Sequence, residues 1–94
     1  MSVQNVNIQN LKMNNKYRLI IDSNNNNTYF VDVIITVSYE YSQNRYVQAE
    51  VKDSEHSELI NSNIKIHQSN LVTQELQMSR PIGKIIDYKQ INFN

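Results

Sequence analysis

Within residues 29–41, YFVDVIITVSYEY, every odd position is apolar or aromatic: Tyr29, Val31, Val33, Ile35, Val37, Tyr39 and Tyr41. The even positions Asp32, Thr36, Ser38 and Glu40 are polar, with Phe30 and Ile34 as exceptions. A period of two over this length predicts a β-strand with one buried face, and the β-branched and aromatic content suits it. Residues 11–22 repeat the pattern, with Leu11, Met13, Tyr17, Leu19 and Ile21 set between Lys12, Asn14, Lys16 and Arg18. Asn15 breaks the apolar face, which predicts a bulge near Asn14 and Asn15.

Between these strands lies Ser23 followed by four asparagines. Asn tolerates left-handed backbone and caps its own turns, so this run predicts a loop without glycine. Both strands carry apolar residues at odd positions, so paired residue numbers must sum to an even number. The register summing to 50 sets Leu19 opposite Val31, Tyr17 opposite Val33, and Arg18 opposite Asp32. The last pair joins opposite charges, as cross-strand neighbours favour.

A second turn is predicted at 43–45, with Asn44 in the left-handed region, followed by a strand carrying Val47, Ala49 and Val51. A register summing to 88 would pair Tyr41 with Val47, Tyr39 with Ala49 and Val37 with Val51. After the polar break at 53–58, Leu59 and Ile60 are expected to close one helical turn capped by Asp53 or Ser54. Alternation restarts at Ile64 and Ile66, and even positions Val72, Leu76, Met78 and Ile82 carry it on. Residues 81–83 predict a turn or bulge, and residues 84–93 a last strand with Ile86 and Tyr88 on one face and Ile85, Ile91 and Phe93 on the other.

The expected fold is mainly β: a long three-stranded antiparallel meander packed against further C-terminal strands, as a small sandwich or open barrel. The alternative is an α+β fold with a helix at 70–79, where Leu, Gln, Glu and Met favour helix and Pro81 would stop it. Length predicts one domain over residues 1–94, with 1–10 as an N-terminal arm or short edge strand.

Composition narrows function more than it identifies it. The formal net charge is zero, which disfavours a generic nucleic-acid binder. With no cysteine there is no disulfide and no thiolate metal site. One glycine excludes glycine-rich nucleotide loops. Residues 79–84, SRPIGK, end like a phosphate loop, but Pro81 lacks an N–H and the loop is not glycine-rich, so no site is assigned. His56 lies among Asp53, Glu55 and Glu58 and reads as a solvated acidic turn; His67 reads as an exposed strand residue. No catalytic set assembles, and no cofactor or metal is assigned. The N-terminus lacks an apolar signal-peptide core, and no run reaches the ~18–20 apolar residues of a membrane span. A cytoplasmic or virion-associated location is expected.

The expected function is non-enzymatic: a protein-interaction or structural subunit of a homo-oligomer or larger assembly. A thirteen-residue strand would span about 43 Å at ~3.3 Å per residue, against the usual ~17–20 Å. Open sheet edges would then pair with another strand, of a second copy or another subunit. The interface candidates are Val6, Ile8, Lys12, Lys16 and Arg18 along the first edge, and Tyr46 and Lys52 along the second. One alternative is a nucleic-acid-binding β-barrel in which Tyr46 and Phe30 stack bases beside Arg18 and Arg45. Another is a small phage-type antagonist that blocks a host or rival enzyme.

Overall fold

The computed structural model describes residues 6–24, 27–43, 45–76 and 78–92. Six antiparallel strands follow one another around a closed barrel: β1 (Lys16–Asp22), β2 (Thr28–Val37), β3 (Tyr46–Ser54), β4 (Asn63–His67), β5 (Leu71–Gln74) and β6 (Arg80–Ile91). Each strand pairs with the next, and β6 returns to pair with β1, placing Leu19 opposite Tyr88 and Lys16 opposite Ile91. A barrel this small is filled by its inward side chains. Leu19, Val31, Val33, Ile35, Val51 and Ile66 have no solvent exposure. Among the described residues no helix is long and apolar enough to cross a membrane.

The first hairpin has the expected register throughout, from Lys16 opposite Ile34 to Asp22 opposite Thr28. Arg18 and Asp32 meet in a two-pronged ion pair, Nε to Oδ1 at 2.8 Å and Nη2 to Oδ2 at 3.0 Å. The guanidinium also lies 4.4 Å over the Phe30 ring, and Asp32 is only 3% exposed beneath it. Hydrogen bonding to Asp32, and then its charge, raise the Arg18 pKa above its ordinary value. The Asn-rich loop closes through Ser23, whose N–H donates to the Asn27 carbonyl at 2.9 Å, with Asn24 left-handed at φ 86°.

Four expectations need correction. First, β1 begins only at Lys16 and not at residue 11. The bulge expected near Asn14 and Asn15 is present ahead of it: Asn14 is left-handed at φ 66°, its N–H donates to the Ile35 carbonyl at 2.8 Å, and the Ile35 N–H donates to the Asn15 carbonyl at 3.0 Å, so two residues oppose one.

Second, β2 stops at Val37 and the chain turns into a 3-10 turn, Tyr39–Tyr41. Tyr39 packs against the core while Tyr41 is 67% exposed. The register with β3 therefore sums to 84 at its centre, where Ile35 faces Ala49 and Val33 faces Val51. The physical cause is that this barrel end is already occupied. Val6, Ile8 and Leu11 are buried there, and the Ile8–Asn10 turn contacts Tyr39–Tyr41. The Tyr17 hydroxyl accepts from the Lys12 N–H at 2.9 Å and donates to the Asn10 carbonyl at 3.4 Å, pinning the segment. A ten-residue strand at ~3.3 Å per residue spans about 33 Å, which fits a molecule of 33 × 32 × 29 Å. The strand-length argument for an assembly therefore falls.

Third, the described residues of 71–79 form neither a helix nor one long strand. β5 ends at Gln74, and Leu76 and Met78 are exposed in the loop that follows.

Fourth, β6 starts at Arg80 and not at residue 84; the bulge expected at 81–83 is present inside it, with Ile82 as an extra residue between the pairs Thr73–Pro81 and Val72–Gly83. Pro81 is tolerated at this strand start and bulge. Gly83, at φ 138°, lies so close to β1 that a Cβ would sit 2.4 Å from the Asp22 carbonyl oxygen. A second bulge, at Ile86, turns Ile85 and Tyr88 to the same, inner side, where opposite faces were expected. Phe93 and Asn44 lie outside the described residues.

Candidate functional site

A cavity of about 360 Å³ opens at the barrel end where β1 runs out. Three chain segments far apart in sequence build it. The β1–β2 loop brings Asp22, Ser23 and Asn24; the β3–β4 connection brings His56, Glu58 and Leu59; β6 brings Arg80 to Lys84. The 3-10 turn Ser57–Leu59 drops Leu59, 2% exposed, into the barrel end and leaves Glu58 outside. Its geometry is set by Ser54, not by a helix cap. The Ser54 hydroxyl accepts from the His56 N–H at 3.1 Å and donates to the Phe30 carbonyl at 2.9 Å.

Tyr29 forms part of the wall. Its hydroxyl does not reach water but donates to the Ile82 carbonyl at 2.9 Å, tying β2 to the β6 bulge. Burial pushes its pKa up, the Arg80 charge pulls it down, and the Glu58 charge pushes it up. His56 stands edge-on to the Tyr29 ring, with centroids 4.2 Å apart, and its Nδ1 lies 3.6 Å from Glu58 Oε1. The Asp22 carboxylate accepts from the Asn24 N–H at 3.2 Å. The two acids of the cavity thus have partners. The exposed cations Arg80 and Lys84 make no ion pair or side-chain hydrogen bond with a described residue. Exposed Leu76 and Met78 stand in the loop that leads into Arg80.

Chemically, this is a cavity with an apolar floor, a neutral phenol already engaged, and two available cations. Its tyrosine hydroxyl is committed to the Ile82 carbonyl, and its Ser23 hydroxyl to the Asn27 carbonyl at 3.1 Å. Among the described residues no group of three or more His, Asp or Glu side chains converges as metal ligands would.

The interface candidates chosen from sequence are not gathered in one place. Val6 and Ile8 are buried in the core of their own chain, 7% and 3% exposed. Lys12 is exposed on the N-terminal segment. Lys16 and Arg18 are half-buried on β1, and Arg18 is committed to Asp32. Tyr46 is half-buried on β3 under Lys65, whose Nζ is 4.8 Å from the ring centroid. Lys52 is exposed and pairs with Glu50 at 3.3 Å. Both edges that these residues were expected to line are absent, because β1 is paired on both sides and β3 lies between β2 and β4.

Sequence reasoning missed Arg80, Lys84 and Tyr29 as parts of one site. The signal was faint: His56 and Glu58 of the acidic turn and residues 80–84 of the SRPIGK run, each set aside alone, line the same cavity. No family model, curated protein or solved structure matches this chain.

Proposed function

We propose that this barrel is a non-enzymatic protein-interaction subunit that docks onto another chain through its β5–β6 mouth. The observation that carries the reading is the pair Leu76 and Met78, 55% and 83% exposed on the short loop that leads into Arg80, a residue of the cavity wall. Single exposed apolar residues are ordinary, but two on one loop that runs into the wall of a concave site fit a contact surface. Closure of the barrel supports contact through side chains and loops over strand addition, since no strand is left at an edge.

Base stacking gains no support from the aromatic residues considered for it. The Phe30 face is covered by Arg18 and the Tyr46 face by Lys65. An antagonist role is the same reading with an enzyme as partner.

The test is molar mass by light scattering, for the full chain alone and mixed with a partner recovered by cross-linking. The L76S/M78S double variant is the control. Association that the double variant loses is expected. Association that persists unchanged in the double variant would contradict docking through this mouth.

A further inference from the structure

The cavity that the loop of Leu76 and Met78 leads into has a charge state of its own, and this inference rests on the contact reading above. Its acids are engaged inside the chain: Asp22 accepts from the Asn24 N–H at 3.2 Å, and Glu58 faces His56 at 3.6 Å. Its cations are not, since Arg80 and Lys84 have no acidic partner among the described residues. Three strand cations are paired: Arg18 with Asp32, Lys52 with Glu50 and Lys65 with Glu75, at 2.8, 3.3 and 3.3 Å. Lys89 on β6 also has no ion pair among the described residues, and Arg80 and Lys84 differ from it in sharing one cavity. Beneath them the wall is apolar and aromatic, made by Leu59, Leu71, Ile82 and Tyr29.

We infer that the mouth accepts an acidic side chain of a partner protein, Asp or Glu, presented beside a bulky apolar residue. The carboxylate is taken by Arg80 and Lys84, and the apolar neighbour lies against Leu76 and Met78. A guanidinium offers a carboxylate two parallel N–H donors, while Lys84 adds a point charge. The cavity, about 360 Å³, is at the lower end of the ~300–1,000 Å³ range of ligand sites, suited to one or two side chains. Glu58 and Asp22 limit the tolerance for acid, so a run of several acidic residues is disfavoured against a single one flanked by apolar groups.

Nuclear magnetic resonance titration of the full ¹⁵N-labelled chain tests this with four capped peptides. They share one scaffold and differ at the core: Leu-Glu-Leu, Leu-Gln-Leu, Leu-Lys-Leu and Ser-Glu-Ser. Free phenylacetate is a fifth probe. The Leu-Glu-Leu peptide is expected to shift amides at 22–24, 56–59, 80 and 82–84. It should bind at least tenfold more tightly than the Gln and Lys cores and than phenylacetate. The R80Q/K84Q variant should lose that preference with its spectrum otherwise unchanged. Raising salt from 0.05 to 0.5 M should weaken binding, because exposed charges are screened as the Debye length shortens.

Equal binding of the Glu and Gln cores, sensitive to L76S/M78S, would overturn the acid preference and leave the contact reading in place. Phenylacetate binding as tightly as the peptide would overturn the protein partner in favour of a small-molecule site. Absence of any shift at these loops up to several millimolar peptide would overturn the inference outright. Light scattering still decides the contact reading separately.

Discussion

Val33 and Ser38 show how much one position along a strand can matter. Both are buried, but Val33 sits in the apolar barrel interior, while Ser38, 2% exposed, marks the point where β2 ends. Alternation alone assigns Ser38 to the wet face, and the turn into Tyr39–Tyr41 buries it instead, with its hydroxyl lacking a hydrogen-bond partner among the described residues. The wet residue of this strand end is Thr36, which is exposed. Replacing Val33 by Asp places an unpaired carboxylate in the core and should cost on the order of several kcal/mol. Thr36→Asp should stay within about ±0.5 kcal/mol. Urea midpoints for the two variants check this, and equal midpoints would contradict the assigned faces. Tyr29 supplies a pH dependence. Its buried phenol titrates above the ordinary value of 10.0, so the unfolded chain loses its proton first as pH rises. The stabilising contribution is complete below about pH 10 and fades as pH climbs through the folded-state pKa. Tyr29→Phe should remove that part of the alkaline loss at a cost of about 1 kcal/mol for the Ile82 hydrogen bond. Parallel melting curves at pH 7 and pH 11 would reveal it.

Among the elements, the register of the first hairpin was legible from end to end. Its two strands share parity, its loop is short, and the Arg18–Asp32 pair fixes the register independently. The second hairpin was not, because parity does not reveal where a strand stops. Tyr39 and Tyr41 keep the odd rhythm after β2 has ended, and Leu76 and Met78 keep the even rhythm in a loop. No Gly or Pro interrupts either stretch to mark the end. The candidate site was illegible for a different reason. Asp22, His56 and Arg80 are brought together only by barrel closure, and no local spacing encodes that. Residues 1–10 were expected as an arm or short edge strand, and the described part, from Val6 on, packs into the barrel end as a plug. Leu11 has no solvent exposure, and Tyr17 holds the backbone on either side of it. Leu11→Ala should therefore destabilise the whole barrel by about 2–4 kcal/mol, read from urea unfolding. A cost near zero would show that the segment is an arm after all. For the same reason, deleting residues 1–8 tests packing as well as assembly, since Val6 and Ile8 belong to the core.

At the scale of the whole molecule, closure changes the functional argument. An open meander would invite strand addition along β1. A barrel in which β1 is bonded on both sides offers other chains only its outer face and its ends. The β1–β6 seam makes that difference, and backbone nuclear Overhauser effects across it are the most direct test. The barrel predicts cross-strand contacts that place Arg18 opposite Lys89 and Leu19 opposite Tyr88, together with slow amide exchange along β1. Absence of those contacts, with alternate β1 amides exchanging as at a free edge, would contradict closure and return the molecule to an open sheet.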